Sequence, residues 1–343
     1  MRILVIYTGG ASGKNIEQQL HSYLELQLVA KVDITLLSDI AGADVPYSLS
    51  TDLAKEIYNH YKQYDGFVVI HSIDNAAYTA NLLAFQLYPI GKPVIFTGTT
   101  IGEDFFAFPG NFTNAEQQMY REMSLRTSLV TAIQLATQDV AGVILAYGPN
   151  IVRAVRALEP TNLDDVGFAS YQEEHIATVK FGIDLAHHGP KRTTDQPQLY
   201  AGVDPRIYVL QRMPQPILPP LETYSAILIH TGQDQLLPKQ LALPSDRPIF
   251  LLGAAERKDV YTATALPAMA PLPALCKLMV GICHYHNGQL AEFMRTPVAG
   301  EFAAKERGQL WTSIWSAMLQ PTSPGYCVKR MYTCGHAWTR VQM

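Results

Sequence analysis

The first half of the chain alternates short β-rich runs with amphipathic stretches, and this alternation limits the possible folds more than any other feature. The β-rich runs are Arg2–Tyr7, Asp33–Leu37, Gly66–His71, Pro93–Thr97 and Gly142–Tyr147. They are dense in Val, Ile and Phe and bounded by Gly, Pro, Asp or Lys, as strands are. Between them, Ile16–Leu28, Ser50–Tyr64, Asn75–Leu87 and Ala115–Thr137 repeat apolar residues at helical spacing, for example Leu53, Ile57 and Tyr61. Strands alternating with helices predict an α/β fold, a parallel sheet covered by helices on both faces. Ligands of such sheets bind beyond the carboxyl ends of the strands. Two polar segments fall there: Thr8–Gly13 after the first strand and His71–Asn75 after the third.

The organisation expected is a larger N-terminal α/β domain over 1–190, then a linker region, 191–220. The linker is rich in Pro, Gln and Arg and holds one short strand, Arg206–Leu210. Beyond it, Ala226–His230 and Pro248–Leu252 read as strands, and Leu272–Cys283 and Gly288–Met294 as helices. These make a smaller C-terminal α/β domain, 221–320, followed by a Pro/Gly-punctuated tail, 321–343. No internal repeat or low-complexity run is visible.

Composition excludes several functions. The net charge is −4 and no basic stripe is present, which argues against a nucleic-acid partner. No run of about 18 apolar residues predicts a membrane span, and the N-terminus lacks a signal-peptide layout. A cytoplasmic protein is the expectation. Charged residues make up 16% of the chain, low enough to suggest surface buried in an oligomer. Cys276/Cys283 and Cys327/Cys334 share one spacing, with His284, His286 and His336 nearby. Neither pair has the short gap of common zinc knuckles. Cys276 and Cys283 instead fall on one face of a helix, an ordinary core placement. No metal or cofactor is expected.

The segment His71-Ser72-Ile73-Asp74-Asn75-Ala76-Ala77-Tyr78-Thr79-Ala80, together with Tyr7-Thr8-Gly9-Gly10-Ala11-Ser12-Gly13, resembles the two signatures of the L-asparaginases, in particular the cytoplasmic type I group. Asp65–His71, Gly91–Gly98, Ala141–Ile144 with Arg153 and Arg156, and Ala274–Leu278 with Gly300-Glu301 are similar to further segments of that family. The resemblance runs from Met1 to about Glu301. It is strong over Asp65–Gly98 and weak in the second domain. It implies a two-domain α/β fold, a homo-dimer or tetramer, and hydrolysis of the asparagine amide.

The resemblance also implies a threonine nucleophile, a relay of threonine, aspartate and lysine, and donors that grip the amino-acid substrate. An unactivated hydroxyl needs a neighbouring base, and a developing oxyanion needs fixed donors. In this chain Ala11 follows Gly10 at the nucleophile position and Ile73 stands at the relay threonine. The relay aspartate persists as Asp74, and Glu159 falls at the relay lysine. The substrate segment aligns with Ala41–Val45. It keeps Asp44, for the amino group, and places Gly42 and Ala43 where hydroxyl donors stand. The mobile lid after the first signature is missing. A long insertion, Thr99 to about Met123, carries Phe105, Phe106, Phe108 and Phe112.

The expectation is therefore a degenerate site. The chain reads as a pseudoenzyme that binds or regulates through an amino-acid-like small molecule. The alternative is an active amidohydrolase with Ser12 or Thr8 as a substitute nucleophile, or an acid/base enzyme using Asp74, Glu159 and His71. A third reading is a scaffold or protein-interaction role using the Phe-rich insertion and the tail. For single residues, Thr8 reads as structural, His71 as a strand-end residue, and Asp74 either as the cap of the following helix or as a group facing a pocket. Gly9 and Gly10 read as turn glycines.

Overall fold

A helix-and-strand alternation does form, in a computed structural model that describes residues 1–9, 16–40, 42–100, 113–159, 167–171, 174–186, 190–194, 196–211, 216–230, 248–252, 263–266 and 271–284. The chain divides into two units, Met1–Ala201 and Gly202–Met343.

The first unit begins with β1 (Arg2–Tyr7), α1 (Ile16–Ser22), α2 (Leu24–Val29), β2 (Lys31–Leu36) and a 3-10 turn at Gly42–Asp44. It continues through α3 (Ser48–His60), β3 (Gly66–Ile70), α4 (Ile73–Gln86), β4 (Leu87–Tyr88), β5 (Pro93–Thr97), α5 (Asn114–Ala136), β6 (Gly142–Leu145) and β7 (Asn150–Arg153). A second 3-10 turn, Ala154–Arg156, leads into β8 (Ala157–Leu158), β9 (Ala169–Ser170), β10 (Ala177–Val179), β11 (Ile183–Leu185) and β12 (Gln198–Leu199).

Eight strands make one sheet in the order β11-β10-β7-β6-β5-β3-β1-β2. The five strands from β2 to β6 run parallel, whereas β7, β10 and β11 join antiparallel. The sheet expected to be parallel is therefore mixed at one edge. Only residues 146–149 separate β6 from β7, too few for the crossover a parallel neighbour requires, so the chain folds back as a hairpin.

Both faces of the parallel core are covered. Ile3, Val5, Val68, Ile70 and Ile95 are buried with Leu20 of α1, Leu26 of α2 and Leu129 and Ile133 of α5. The alternate residues Leu4, Ile6, Phe67, Val69 and Phe96 are buried on the other face, where α3 and α4 pack against each other and α4 contacts β5 and β6. Burial of β1, β3 and β5 on both sides explains why they read as continuous apolar runs, whereas the edge strand β2 keeps Lys31 and Asp33.

The single helix expected over 16–28 is two helices broken at Tyr23. Six residues along a straight helix turn the side chain by about 240°. Leu20 and Leu26 could not then both face the core, yet both are 1% exposed. The break at Tyr23 lets them. Helix α5 starts at Asn114, set by a capping box in which the Thr113 hydroxyl accepts the Glu116 N–H and the Glu116 carboxylate accepts the Thr113 N–H. The phenylalanines of the insertion lie outside the described residues.

The second unit holds β13 (Ile207–Gln211), β14 (Ala226–His230), β15 (Ile249–Leu252) and β16 (Ala263–Leu266), a parallel sheet in sequential order. Helix α6 (Pro271–Cys283) packs on β13 and β14. Cys276 is buried within it and Cys283 half-buried. The helix expected at Gly288–Met294, and the tail, lie outside the described residues. Asp204 ties the entry of this unit together. Its N–H donates to Met279, and its carboxylate accepts from the Arg206 guanidinium at 2.9 and 2.8 Å and from the Ser225 hydroxyl at 2.7 Å. The Arg206 guanidinium leads in lowering the Asp204 pKa to about 2, against partial burial. A depressed carboxyl pKa stabilises the fold above its unfolded value of about 4 and loses that contribution as pH falls toward 2. Asp204→Asn is expected to weaken the second unit at neutral pH and to flatten its acid-unfolding curve between about pH 4 and pH 2. A curve with unchanged slope in that window would remove Asp204 from the account.

Candidate functional site

Counting only the helix-connected parallel strands, the chain runs outward from β1 to β2 on one side and to β3, β5 and β6 on the other. The reversal lies between β1 and β3, the topological switch point at which open α/β sheets bind ligands. Thr8 and Gly9 leave β1 there, His71 and Ser72 leave β3, and Gly98 leaves β5.

Thr8 closes the end of β1 on β3. Its N–H and its hydroxyl both donate to the Ile70 carbonyl, at 3.0 and 2.9 Å, and its side chain is fully buried. Gly9 follows at φ +121°, where an added Cβ would lie 2.0 Å from the Ile40 carbonyl oxygen. The segment leaving β2 therefore crosses directly over Gly9. It is held by the Leu37 N–H donating to the Tyr7 carbonyl at 2.9 Å and by the Tyr7 hydroxyl donating to Asp39 at 2.8 Å. Gly10, Ala11 and Ser12 lie outside the described residues.

The segment over Gly9 continues into the turn Gly42–Asp44, which packs against α4. Gly42, at φ +67°, leaves space beside Asp74. A Cβ there would sit 3.8 Å from the Asp74 carboxylate. The Asn75 amide donates to the Gly42 carbonyl at 2.6 Å. Asp44 is exposed.

Asp74 itself is exposed and lies in the first turn of α4. It is not the cap: the helix begins at Ile73 with Ser72 as N-cap. The Ser72 hydroxyl instead donates to the Asp74 carboxylate at 2.8 Å. Ile73 is half-buried at the first helical position.

His71 is the buried support of this turn, 1% exposed. Its Nδ1 lies 2.7 Å from the Ser72 carbonyl. A carbonyl only accepts, so Nδ1 carries the proton and Nε2 is the bare nitrogen of a neutral ring. Among the described residues Nε2 has no hydrogen-bond partner. The Tyr147 hydroxyl, fully buried, donates to the His71 carbonyl at 2.9 Å. Burial, with the Asp74 charge second, holds the Tyr147 phenol well above its usual pKa, which keeps it a donor. For His71, burial lowers the pKa below the ordinary value, against the Ser72 carbonyl and the Asp74 charge.

That shift has a sign. The unfolded chain protonates His71 near pH 6.5, whereas the folded chain resists until lower pH. Below about pH 6.5 the unfolded state binds more protons than the folded one, so stability falls as pH falls through that range and is unaffected above it. His71→Gln is expected to flatten the stability profile of the first unit just below about pH 6.5, read from urea midpoints. An unaltered slope would mean that another group controls this range.

Glu159 is exposed and directly follows β8. Among the described residues no hydrogen bond joins it to Asp74. The turn preceding β8 does reach α4, because the Asn81 amide donates to the Ala154 carbonyl at 2.9 Å. The structure thus brings Asp74, Gly42 and the turn from His71 to Asn75 together, with Thr8 as frame. Ser72, Asn75, Tyr7 and Tyr147 belong to the same constellation and are not singled out by the sequence reading. Ser72 and Asn75 flank Asp74 in the sequence, a signal that a neighbour-by-neighbour reading would use. Among the described residues no group of three or more His, Cys, Asp or Glu is placed to hold a metal ion. None of their helices is long and apolar enough to cross a membrane.

Comparison with known proteins gives this arrangement a family. L-asparaginase 1 of Escherichia coli K12 is 34% identical over 116 residues, a stretch covering 29% of this chain and 34% of that enzyme. L-asparaginase of Thermococcus kodakarensis is 24% identical over 226 residues, covering 62% and 64%. The chain thus spans about a third of the first relative's length and under two thirds of the second's. In three dimensions, the crystal structure of L-asparaginase I from Vibrio cholerae matches with a TM-score of 0.67 at 20% identity, covering 90% of this chain and 98% of that one. That likeness shows the fold. The model of the family described as "Asparaginase, N-terminal" matches residues 2–190. The chain belongs to the asparaginase family.

Proposed function

We propose that this chain binds an amino-acid-like small molecule at the β1/β3 edge and does not hydrolyse L-asparagine at an ordinary rate. The observation that carries the proposal is the start of α4. Asp74 presents an exposed carboxylate braced by Ser72. Ile73 beside it, where the family resemblance implies a relay threonine, has no hydroxyl to pass a proton. Ala11, at the implied nucleophile, has none either, and Glu159 reverses the implied lysine's charge.

The placement of Thr8 supports the same reading. Its hydroxyl is buried and already donates to Ile70, a poor position for a nucleophile, which needs access and a base. Gly42 puts no side chain against the exposed Asp74 carboxylate, the group that would pair with a ligand ammonium. Ammonia release from L-asparagine and L-glutamine tests the chemical half of the proposal, and isothermal titration with L-aspartate tests the binding half. The expected results are no release above background and measurable heat. Turnover near about 10 s⁻¹, the middle of ordinary enzyme rates, would overturn the proposal and point to Ser12.

A further inference from the structure

The two edges of the parallel core differ in charge. At the amino edge, Arg2 opens β1, Lys31 opens β2 and Lys92 immediately precedes β5. Lys92 holds the fold there, donating to the Tyr61 and Tyr64 carbonyls at 2.5 and 2.6 Å, and Arg2 pairs with Asp33 at 2.8 Å. At the carboxyl edge, Asp39 follows β2, Asp44 ends the 3-10 turn and Asp74 lies in the first turn of α4, all three exposed. Among the described residues no Lys or Arg is paired with any of them. Arg156 belongs to the turn whose Ala154 carbonyl is held by Asn81, and it is buried. Asn81 lies seven residues along α4 from Asp74, a rise of about 10 Å.

This edge therefore offers acceptors. Ionised Asp74 and Asp44 only accept. The buried polar atom without a partner in the same turn, Nε2 of neutral His71, is an acceptor too. The charge that bears on buried His71 and Tyr147 is that of Asp74. Donors for a ligand carboxylate are gone or taken. The family resemblance implies hydroxyl donors at positions 42 and 43, where Gly42 and Ala43 stand. The Ser72 hydroxyl is turned to Asp74 and the Asn75 amide to the Gly42 carbonyl, at 2.8 and 2.6 Å. The N–H groups that open a helix can hold an anion, but here Asp74 already brings a negative charge to that turn. A free amino acid carries its carboxylate one carbon away from its ammonium. Seating that ammonium against Asp74 brings two like charges together, which opposes binding.

We infer that the site selects a primary ammonium compound with an uncharged group in place of the α-carboxylate, an amino-acid α-amide, over the free amino acid. The inference rests on the ligand site proposed at the β1/β3 edge and narrows its ligand class. Losing the carboxylate donors while keeping Asp44 and Asp74 turns a site for a zwitterion into one for a cation, so selectivity comes from a repulsive element as well as an attractive one.

The test is isothermal titration of the full chain with L-asparaginamide and with L-asparagine, which share a side chain and differ only at the α-carboxyl group. It is run at about pH 6.5, below the usual α-amino range of about 7.7–8.0. L-asparaginamide is expected to bind about tenfold or more tightly. That margin should shrink between about 0.05 and 0.5 M salt, because exposed charges are screened. Asp74→Asn should weaken L-asparaginamide by about tenfold. Because Asp74 is exposed, the thermal midpoint of that variant should stay within about 2 °C of the original. Ala43→Ser should narrow the preference by tightening L-asparagine. Equal affinities, or tighter binding of L-asparagine, would overturn the inference and leave the proposed ligand site standing. L-asparaginamide binding unchanged in both Asp74→Asn and Asp44→Asn would put that ligand elsewhere and overturn it too. No heat from L-asparaginamide, L-asparagine or L-aspartate would remove the ligand site itself, and the inference with it.

Discussion

Ala11→Thr/Ile73→Thr/Glu159→Lys is expected to release ammonia from L-asparagine at least about a hundredfold faster than the unmodified chain. The argument rests on how triad members act. Removing one nucleophile from a hydrolase costs about four to six decades in turnover, and members of one relay are lost together rather than independently. Ala11→Thr alone would supply a hydroxyl with no base, and Ile73→Thr alone a relay with no nucleophile. Only the combination returns the hydroxyl that attacks the amide carbon, the hydroxyl that takes its proton and the ammonium group that keeps Asp74 and that hydroxyl poised. The full range is not expected back, because no Tyr stands between Ser12 and Ser22 to serve as the lid tyrosine that the resemblance implies. The assay is ammonia release with purified variants over matched protein concentrations. Each single change should stay at background. If the triple variant is silent while it still binds L-aspartate, the turn from His71 to Asn75 does not hold Asp74 and residue 73 in productive geometry. The degenerate-site reading would then need a deeper cause than three side chains.

How much of this is legible in the sequence depends on the range of the interactions involved. The central parallel strands β1, β3 and β5 are readable because they are buried on both faces and therefore apolar almost throughout, as in Phe67-Val68-Val69-Ile70. Strands β7, β10 and β11 are not. They are four, three and three residues long, respectively, too short for periodicity to register; the turn around Gly148 leads from β6 into β7, and the turn around Gly182 joins β10 to β11. The break at Tyr23 is hidden because helix propensity is continuous there. The need to bury both Leu20 and Leu26 is a tertiary demand that overrides it. At the site, Asp74 is legible as a residue but not in its helical position. A two-residue shift of the helix start moves a side chain from cap to first turn, and boundaries are where local signals are weakest. Tyr147 and His71 lie 76 positions apart, and Asn75 and Gly42 lie 33 apart. No local pattern announces such pairings. They follow from the strand order, which places the ends of β1, β3 and β6 in one neighbourhood.

The strand order also sets the largest structural effect expected from one methyl group. Gly9→Ala should destabilise the first unit by about 3 kcal/mol or more, lowering its thermal midpoint by roughly 6–12 °C. Two costs combine at this position. At φ +121° a side chain is strained by about 1–2 kcal/mol whatever surrounds it. The new Cβ would also stand 2.0 Å from the Ile40 carbonyl oxygen, 2.6 Å from its carbon and 2.8 Å from its nitrogen. All three are backbone atoms, so no side-chain rotation relieves the clash, and the segment over Gly9 must lift. That segment is pinned to Tyr7 by the Leu37 N–H and by Asp39, and it leads into Gly42 beside Asp74. Lifting it should loosen the ligand site along with the fold. Gly142→Ala separates the two costs. Gly142 also has a positive φ, +95°, but an added Cβ there meets nothing within 4 Å, so only the strain term applies and the midpoint should fall by roughly 2–6 °C. Equal losses at the two positions in parallel melts would mean that the chain crossing over Gly9 is not the tight contact that links the first strand to the site.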